Sequence, residues 1–189
     1  MGKKGAEVRQ QIIETADEVI YQRGFHQASF AELAEAVGLP KGNFYYYFKS
    51  KDELLEAVID HRLAGIKAML QEWQSQLLDA KARLERFLQI PLNELDRVID
   101  YGCPMGTLTM ELGKTDPVKQ AYARQMFELF KTFLQRQFRD LGKADEAEAL
   151  AMHLLVWSQG MAIISSAYKD RGCLQHEIAD ARAWLESLT

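Results

Sequence analysis

The residues best suited to bind another molecule lie close together between Gly38 and Lys51. This segment contains three lysines and no acidic residue. Donor groups and flat rings stand at Lys41, Gly42, Asn43, Tyr45, Tyr46, Lys49 and Lys51. The side chains of these residues, and the backbone N–H of Gly42, can donate hydrogen bonds to phosphate oxygens or to base edges. The whole chain has a net charge of −4, and residues 1–62 contain eight basic and ten acidic side chains. Any attraction for nucleic acid must therefore be local to this segment.

Three helical patterns precede and include this segment. Apolar residues at helical spacing from Val8 to Arg23 predict an amphipathic helix that ends at Gly24. Ser29–Glu32 fits a capping box, in which hydroxyl and carboxylate each satisfy a backbone N–H, and predicts the start of a second helix. Residues 38–40, Gly-Leu-Pro, predict a tight turn, and residues 41–48 a third helix. Two short helices around a turn, braced by a preceding helix, make a helix-turn-helix.

The third helix carries five successive aromatic residues, which cannot all face one side. Phe44, Tyr47 and Phe48 fall close together around the helix and are expected in the core. Tyr46 points the opposite way, and Tyr45 flanks the boundary. Some of these rings must therefore face solvent or a ligand.

The remainder of the chain is predicted to be helical too. A second capping box, Ser50–Glu53, begins a long helix that extends to about Leu78. Later helices are expected at residues 80–99 with a kink at Pro91, and at 104–112, 117–141, 144–168 and 174–188. Few glycines, prolines and β-branched residues interrupt these patterns. The prediction is an all-α fold of about nine helices, with a helix-turn-helix domain at residues 1–50 and a larger helical domain at 51–189.

Several classes of function find no support in the residues. The chain has two cysteines, Cys103 and Cys173, which are too few for a disulfide framework and do not have the spacing of metal ligands. This low cysteine content fits a protein of the reducing cytoplasm. No nucleophile and base, phosphate loop or His/Cys cluster predicts an enzyme, a cofactor or a metal site. Residues 1–11 are not followed by the apolar segment of a secretory signal. Residues 149–168 are uncharged over a length that spans a bilayer, but their polar members favour a helix buried at a protein interface.

The N-terminal motifs resemble those of the TetR family of bacterial repressors. The resemblance rests on Gly24-Phe25, Ser29 to Ala34, Val37 to Phe48 and Lys49 to Leu55. It implies a DNA-facing set formed by Ser29, Lys41, Gly42, Asn43, Tyr45, Tyr46 and Lys51. Within this set, Lys41 and Asn43 are expected at base edges, and the tyrosines and Lys51 at phosphates. Asn43 stands where serine or threonine is commoner and Tyr47 where histidine is common, so the operator sequence stays open.

The resemblance also implies a homodimer, and no membrane is expected among its partners. In this family the last two long helices form a four-helix interface with the partner subunit, a role that falls here to residues 144–168 and 174–188. The implied interface residues are Trp157, Gly160, Met161, Ile164 and Trp184. A two-fold dimer presents two recognition helices, so the expected partner is double-stranded DNA carrying an inverted repeat, with half-sites about 34–36 Å apart or a multiple of that distance.

Residues 102–108, Gly-Cys-Pro-Met-Gly-Thr-Leu, resemble a G-C-x-x-G-x-L stretch found in a branch of the family. That branch includes repressors that respond to electrophiles or oxidants through a cysteine. Cys103 precedes a helix expected to begin at Pro104, so it is either a thiolate sensor or a packing residue beside a ligand cavity. The cavity candidates are Trp73, Tyr101, Cys103, Met105, Tyr122, Met126, Phe127 and Trp157.

Two functions remain after this reasoning. The first is a repressor that releases its operator when an unidentified small molecule, or a cysteine-modifying agent, acts on the C-terminal domain. The second is a helical protein that binds a small molecule or a partner and does not bind DNA. The set formed by Lys41, Asn43, Tyr45, Tyr46 and Lys51 favours the first.

Overall fold

The computed structural model describes residues 2–77 and 79–188, with the backbone but not the side chain of Lys41. All regular structure in these residues is helical, which confirms the predicted fold class. The α-helices are α1 (Lys3–Arg23), α2 (Phe30–Ala36), α3 (Lys41–Tyr47), α4 (Lys51–Gln76), α5 (Ala80–Asn93), α6 (Leu95–Tyr101), α7 (Pro104–Gly113), α8 (Pro117–Asp140), α9 (Ala147–Tyr168) and α10 (Arg171–Ser187). A 3-10 turn at Ala144–Glu146 leads into α9.

The helices are distributed over two compact units. The first unit comprises the chain up to Gly65 together with Thr107–Ala123. The second comprises Ile66–Gly106 and the chain from Arg124 onwards. The first unit thus combines α1–α3 with a segment that lies more than forty residues later in the sequence.

A small apolar core holds the N-terminal helices of the first unit together. The side chains of Ile12, Leu33, Phe44, Phe48 and Leu54 are fully buried there. Burying each such side chain stabilises the fold by about 1.5–3 kcal/mol. In the turn between α2 and α3, Gly38 has a φ of +72°, and the N–H of Leu39 reaches the carbonyl of Ala34 at 3.3 Å. The predicted helix-turn-helix is confirmed.

The second unit is built mainly on α5, α6, α9 and α10. Its core includes Leu84, Phe138, Leu154, Leu174 and Ile178, each at most 1% exposed. Beside this core, the buried guanidinium of Arg83 donates to the carbonyl of Leu77 at 2.8 Å and to the side chain of Gln137 at 3.0 Å. These bonds replace the water that the charged group loses on burial.

The predicted helix over residues 80–99 is wrong in one respect, because the structure divides it into α5 and α6. Pro91 has no N–H to donate to the helical ladder, and the backbone leaves the helix at Glu94 with φ −112° and ψ 27°. Helix α10 begins at Arg171, before the predicted residue 174, because the carboxylate of Asp170 caps it by accepting the N–H of Cys173 at 3.1 Å. Leu78, the predicted end of the fourth helix, lies outside the described residues.

Within the described part of the chain, one helical stretch is long and apolar enough by length and composition to cross a membrane. It is Ala144–Tyr168, and 33% of its most apolar 18 residues are buried inside the protomer. On this stretch the apolar side chains of Met152, Val156, Ile163, Ile164 and Tyr168 are exposed in the protomer.

Candidate nucleic-acid interface

Helix α3 has one buried and one exposed side. Phe44 and Phe48 are fully buried, which confirms the prediction for these two residues, whereas Tyr47, also expected in the core, is only half-buried. Tyr45 and Tyr46 are 50% and 68% exposed, and Gly42 and Asn43 are exposed beside them. The two buried phenylalanines fix the rotation of the helix, and this rotation turns the polar side chains outward.

The exposed Tyr45 ring is supported by a neighbour from α2. The ring of Phe30 makes edge contacts with Phe44 and Tyr45, with centroids 4.8 Å and 5.1 Å apart. Such aromatic pairs contribute about 0.5–1.5 kcal/mol each and favour one orientation of the ring. The sequence pattern did not indicate this contact between Phe30 and the two rings of α3.

The lysines around α3 have different surroundings. The ammonium group of Lys49 donates to the carbonyls of Tyr45 and Tyr46 at 2.8 Å and 3.3 Å, and so caps the C-terminal end of α3. Lys51 lies over the ring of Phe25 at 4.3 Å and donates to the carbonyl of His26 at 3.4 Å. Burial lowers the pKa of Lys51 despite the nearby carboxylates of Glu111 and Asp52. The side chain of Lys41 lies outside the described residues.

Ser29 begins α2 as the sequence predicts. Its hydroxyl accepts the N–H of Glu32 at 3.1 Å, and the carboxylate of Glu32 accepts the N–H of Ser29 at 2.8 Å. The second capping box forms only in part. The hydroxyl of Ser50 accepts the N–H of Glu53 at 3.1 Å, but the Glu53 carboxylate accepts from Lys49, one residue earlier than expected, at 2.7 Å. The first cap fixes the start of α2 and the second the start of α4, the helices that precede and follow α3.

The cavity candidates fall in both units. Trp73 and Met126 are buried, and Cys103, Met105, Phe127 and Trp157 pack, partly buried, against the core of the second unit. Tyr101, also in the second unit, is 36% exposed. Tyr122 belongs to the first unit, where its hydroxyl donates to Asp60. This bond, with burial, raises the pKa of Tyr122 to about 12. The spacing of these residues in the sequence does not indicate that Tyr122 and the other candidates lie in different units.

The Gly-Cys-Pro-Met-Gly stretch has a packing explanation. Gly102 ends α6 with a φ of +76°, and Cys103 directly precedes Pro104, the first residue of α7, as predicted. A Cβ atom at Gly106 would lie 2.5 Å from Oε1 of Gln159 and 3.5 Å from Cβ of Cys103. Glycine at position 106 therefore allows the Gln159 side chain of α9 to approach α7 closely.

The dimer candidates differ in exposure within the protomer. Met161 is only 3% exposed and packs in the core of its own unit. Trp157 donates its indole N–H to Glu177 at 2.9 Å and makes an edge contact with Trp184. Gly160 and Ile164 are exposed. The other large exposed apolar side chains of α9, which the sequence pattern did not indicate, are Met152, Val156, Ile163 and Tyr168.

Comparisons with known proteins cover both parts of the chain. Residues 12–58 match the family model of bacterial regulatory proteins, tetR family. Residues 63–180 match the model of the C-terminal domain of LmrA/YxaF-like transcriptional regulators, which spans more than half of the chain. The chain belongs to the TetR family. It is a helix-turn-helix transcriptional regulator with an LmrA/YxaF-like C-terminal domain.

Individual relatives agree with this assignment. The chain is 31% identical over 144 residues to an uncharacterized HTH-type transcriptional regulator of the lacX 3′ region of Lactococcus lactis subsp. lactis, covering 71% of this chain and 64% of that protein. It is 30% identical over 107 residues to the HTH-type transcriptional repressor NemR of Escherichia coli, covering 56% of this chain and 52% of NemR. The matched region is thus less than two thirds of the length of either relative. A TetR regulator structure from Legionella pneumophila shares the fold, with a TM-score of 0.82 and 22% identity over 99% of this chain and 97% of that one.

Proposed function

We propose that this TetR-family regulator is a cytoplasmic, homodimeric repressor that binds an inverted-repeat operator and releases it when a small molecule binds its C-terminal domain. In this proposal residues 1–50, together with Lys51 at the start of α4, contain the DNA-binding surface, and the rest of residues 51–189 bind the effector and the partner subunit. The observation that carries the proposal is the exposed side of α3, which is turned outward by Phe44 and Phe48.

The proposed DNA contacts divide into base and phosphate contacts. Asn43, exposed near the start of α3, and Lys41 are assigned to base edges, where amide and ammonium groups discriminate between bases. Gly42 lies between them and lets the backbone approach the groove. Tyr45, Tyr46, Lys51 and Ser29 are assigned to phosphates, which set register without reading sequence.

The proposed dimer interface lies on α9. Met152, Val156, Gly160 and Ile164 are exposed at intervals of four residues, and the exposed Ile163 lies three residues after Gly160, so all five share one face of the helix. Burying these apolar side chains against the same face of a second protomer removes them from water and so stabilises a two-fold dimer. This also explains an apolar helix of membrane-spanning length whose surface is largely uncovered in one protomer.

Repression is proposed because the relative NemR is described as a repressor. The effector is proposed to bind among the aromatic and sulfur-containing side chains of the second unit. Trp73 is buried in its core, and Cys103, Met105, Phe127 and Trp157 pack, partly buried, against that core. Typical allosteric coupling of about 1–3 kcal/mol would weaken operator binding by about 5- to 150-fold.

The test is a selection of bound sequences from random duplex DNA with the purified full-length protein, followed by titrations of the selected site. Lys41→Ala is expected to relax selectivity at one base pair in each half-site, at a cost of about 1–3 kcal/mol. Lys51→Ala is expected to weaken binding to all sequences and to reduce the slope of affinity against salt by about one. Lys67→Ala, which removes one charge from an exposed position on α4, is the matched control.

The outcomes separate the two functions left open by the sequence. An enriched inverted repeat whose affinity depends on Lys41 and Lys51 but not on Lys67 supports the repressor. A folded dimer that enriches no sequence contradicts the proposal and supports a binding protein that does not act on DNA.

A further inference from the structure

The segment Thr107–Ala123 is joined to the helix-turn-helix by a row of polar contacts inside the first unit. Glu111 contacts Phe25 and His26, and the hydroxyl of Thr115 lies 3.0 Å from Nε2 of His26. Lys119 pairs with Asp52 at 3.0 Å, and Tyr122 bonds to Asp60. Both the turn after α1 and the start of α4 are therefore held by residues from α7, α8 and the turn between them.

Glu111 makes the densest of these contacts. Its carboxylate accepts the N–H of Phe25 at 2.9 Å and the N–H of His26 at 2.6 Å, and it lies 2.8 Å from Nδ1 of His26. Gly24 has a φ of +85°, and a Cβ atom there would lie 3.1 Å from the same carboxylate. The turn thus presents two N–H groups to one anion, and the missing side chain at Gly24 leaves room for it.

The same turn also contacts Lys51, which is proposed to bind a DNA phosphate. The carbonyl of His26 accepts from the ammonium group of Lys51, and the ring of Phe25 lies beneath that group. Three residues after His26, Ser29 caps α2. The Glu111 carboxylate and the Lys51 ammonium therefore act on the same two residues, and the turn leads directly into the helix that supports α3.

We propose that Glu111 is a positioning residue for operator binding: by holding Phe25 and His26, it fixes the turn that places α2 and Lys51 relative to the recognition helix. This proposal rests on the proposed function. It names a route for regulation, because a movement of α7 that withdraws Glu111 releases the turn and weakens operator binding without touching α3.

The experiment compares three full-length proteins: wild type, Glu111→Gln and Glu7→Gln. Glu111→Gln replaces one acceptor oxygen by an NH₂ group, which faces a backbone N–H. Glu7→Gln removes the same charge from an exposed position on α1 and controls for the altered attraction to DNA. Each protein is titrated with the selected operator and with a random duplex of equal length. Glu111→Gln is expected to weaken operator binding by about tenfold, within the usual range of coupling, with random-duplex affinity and the Glu7→Gln protein unchanged.

A purely structural role gives a different result. If Glu111→Gln lowers operator and random-duplex affinity together, in proportion to the fraction unfolded by circular dichroism, the positioning role is overturned. Unchanged operator affinity overturns it as well.

Thr115→Val provides a second variant, should Glu111→Gln fold poorly. It removes the contact to the far nitrogen of His26 and keeps every charge. A selective loss of operator affinity in this variant supports the proposal, and wild-type affinity contradicts it. A wild-type protein that selects no operator overturns the proposed function itself, which distinguishes the two failures.

Discussion

Phe44 and Tyr46 lie two residues apart on α3 but are expected to respond differently to alanine. Phe44→Ala should lower the stability of the fold, and Tyr46→Ala should lower the affinity for the operator. Phe44→Ala removes a fully buried ring and its edge contact with Phe30. Truncating a buried phenylalanine costs about 3–5 kcal/mol, of which the aromatic pair supplies about 0.5–1.5 kcal/mol. Tyr46→Ala truncates a ring that is 68% exposed and rests against Tyr47 and Lys49. Exposed substitutions of this kind change stability by about 0.5 kcal/mol or less.

The two variants are measured by urea unfolding, followed by circular dichroism, and by titration of the labelled operator. Phe44→Ala should shift the unfolding midpoint strongly downward. Tyr46→Ala should unfold like the wild type but bind the operator about tenfold more weakly, since a hydrogen bond to a charged phosphate contributes about 1.5 kcal/mol or more.

Two results would refute this reasoning. A loss of more than about 2 kcal/mol in Tyr46→Ala would place its ring in the core rather than on the surface. Full operator affinity in a folded Tyr46→Ala protein would remove the phosphate contact assigned to it.

Four further outcomes are expected. Gly102→Ala should destabilise the protein by about 1–3 kcal/mol in thermal or urea unfolding, because the φ of +76° at Gly102 strains any side chain. A loss of stability below about 0.5 kcal/mol, as for an ordinary surface substitution, would contradict this. Val156→Asp places a charge on the proposed dimer face and should shift the sedimenting mass from dimer to monomer, whereas an unchanged mass would exclude this face. Burial by itself would raise the pKa of Glu111, but the N–H groups of His26 and Phe25 and the His26 ring outweigh it, so this pKa lies below the ordinary value of 4.5. The stability from this carboxylate is therefore complete above about pH 4.5 and is lost as the pH falls through the lowered pKa, so the melting temperature should fall less in Glu111→Gln than in wild type below that pH. Because Cys103 packs against the core, N-ethylmaleimide should leave operator affinity unchanged; a loss of affinity that Cys103→Ser prevents would instead identify a sensor.

Much of the helix-turn-helix could be predicted from the sequence because its signals are local. The capping box joins Ser29 to Glu32, three residues apart, and the outward rotation of Tyr46 follows from the apolar spacing of Phe44 and Phe48. These features depend on residues within one or two helical turns of each other. The all-α fold and the TetR resemblance rest on the same local patterns.

The contacts that join distant segments were decided only by the tertiary structure. Glu111 and Phe25 are 86 residues apart, and no periodicity in either helix indicates that a carboxylate of α7 fills the turn after α1. Burial at Met161 and exposure at Val156 likewise depend on which face of α9 meets α10 and α6, although both side chains are apolar. Local hydrogen-bonding geometry determines where a helix begins and which residues share a face, but the partner of that face is determined by the packing of the whole chain.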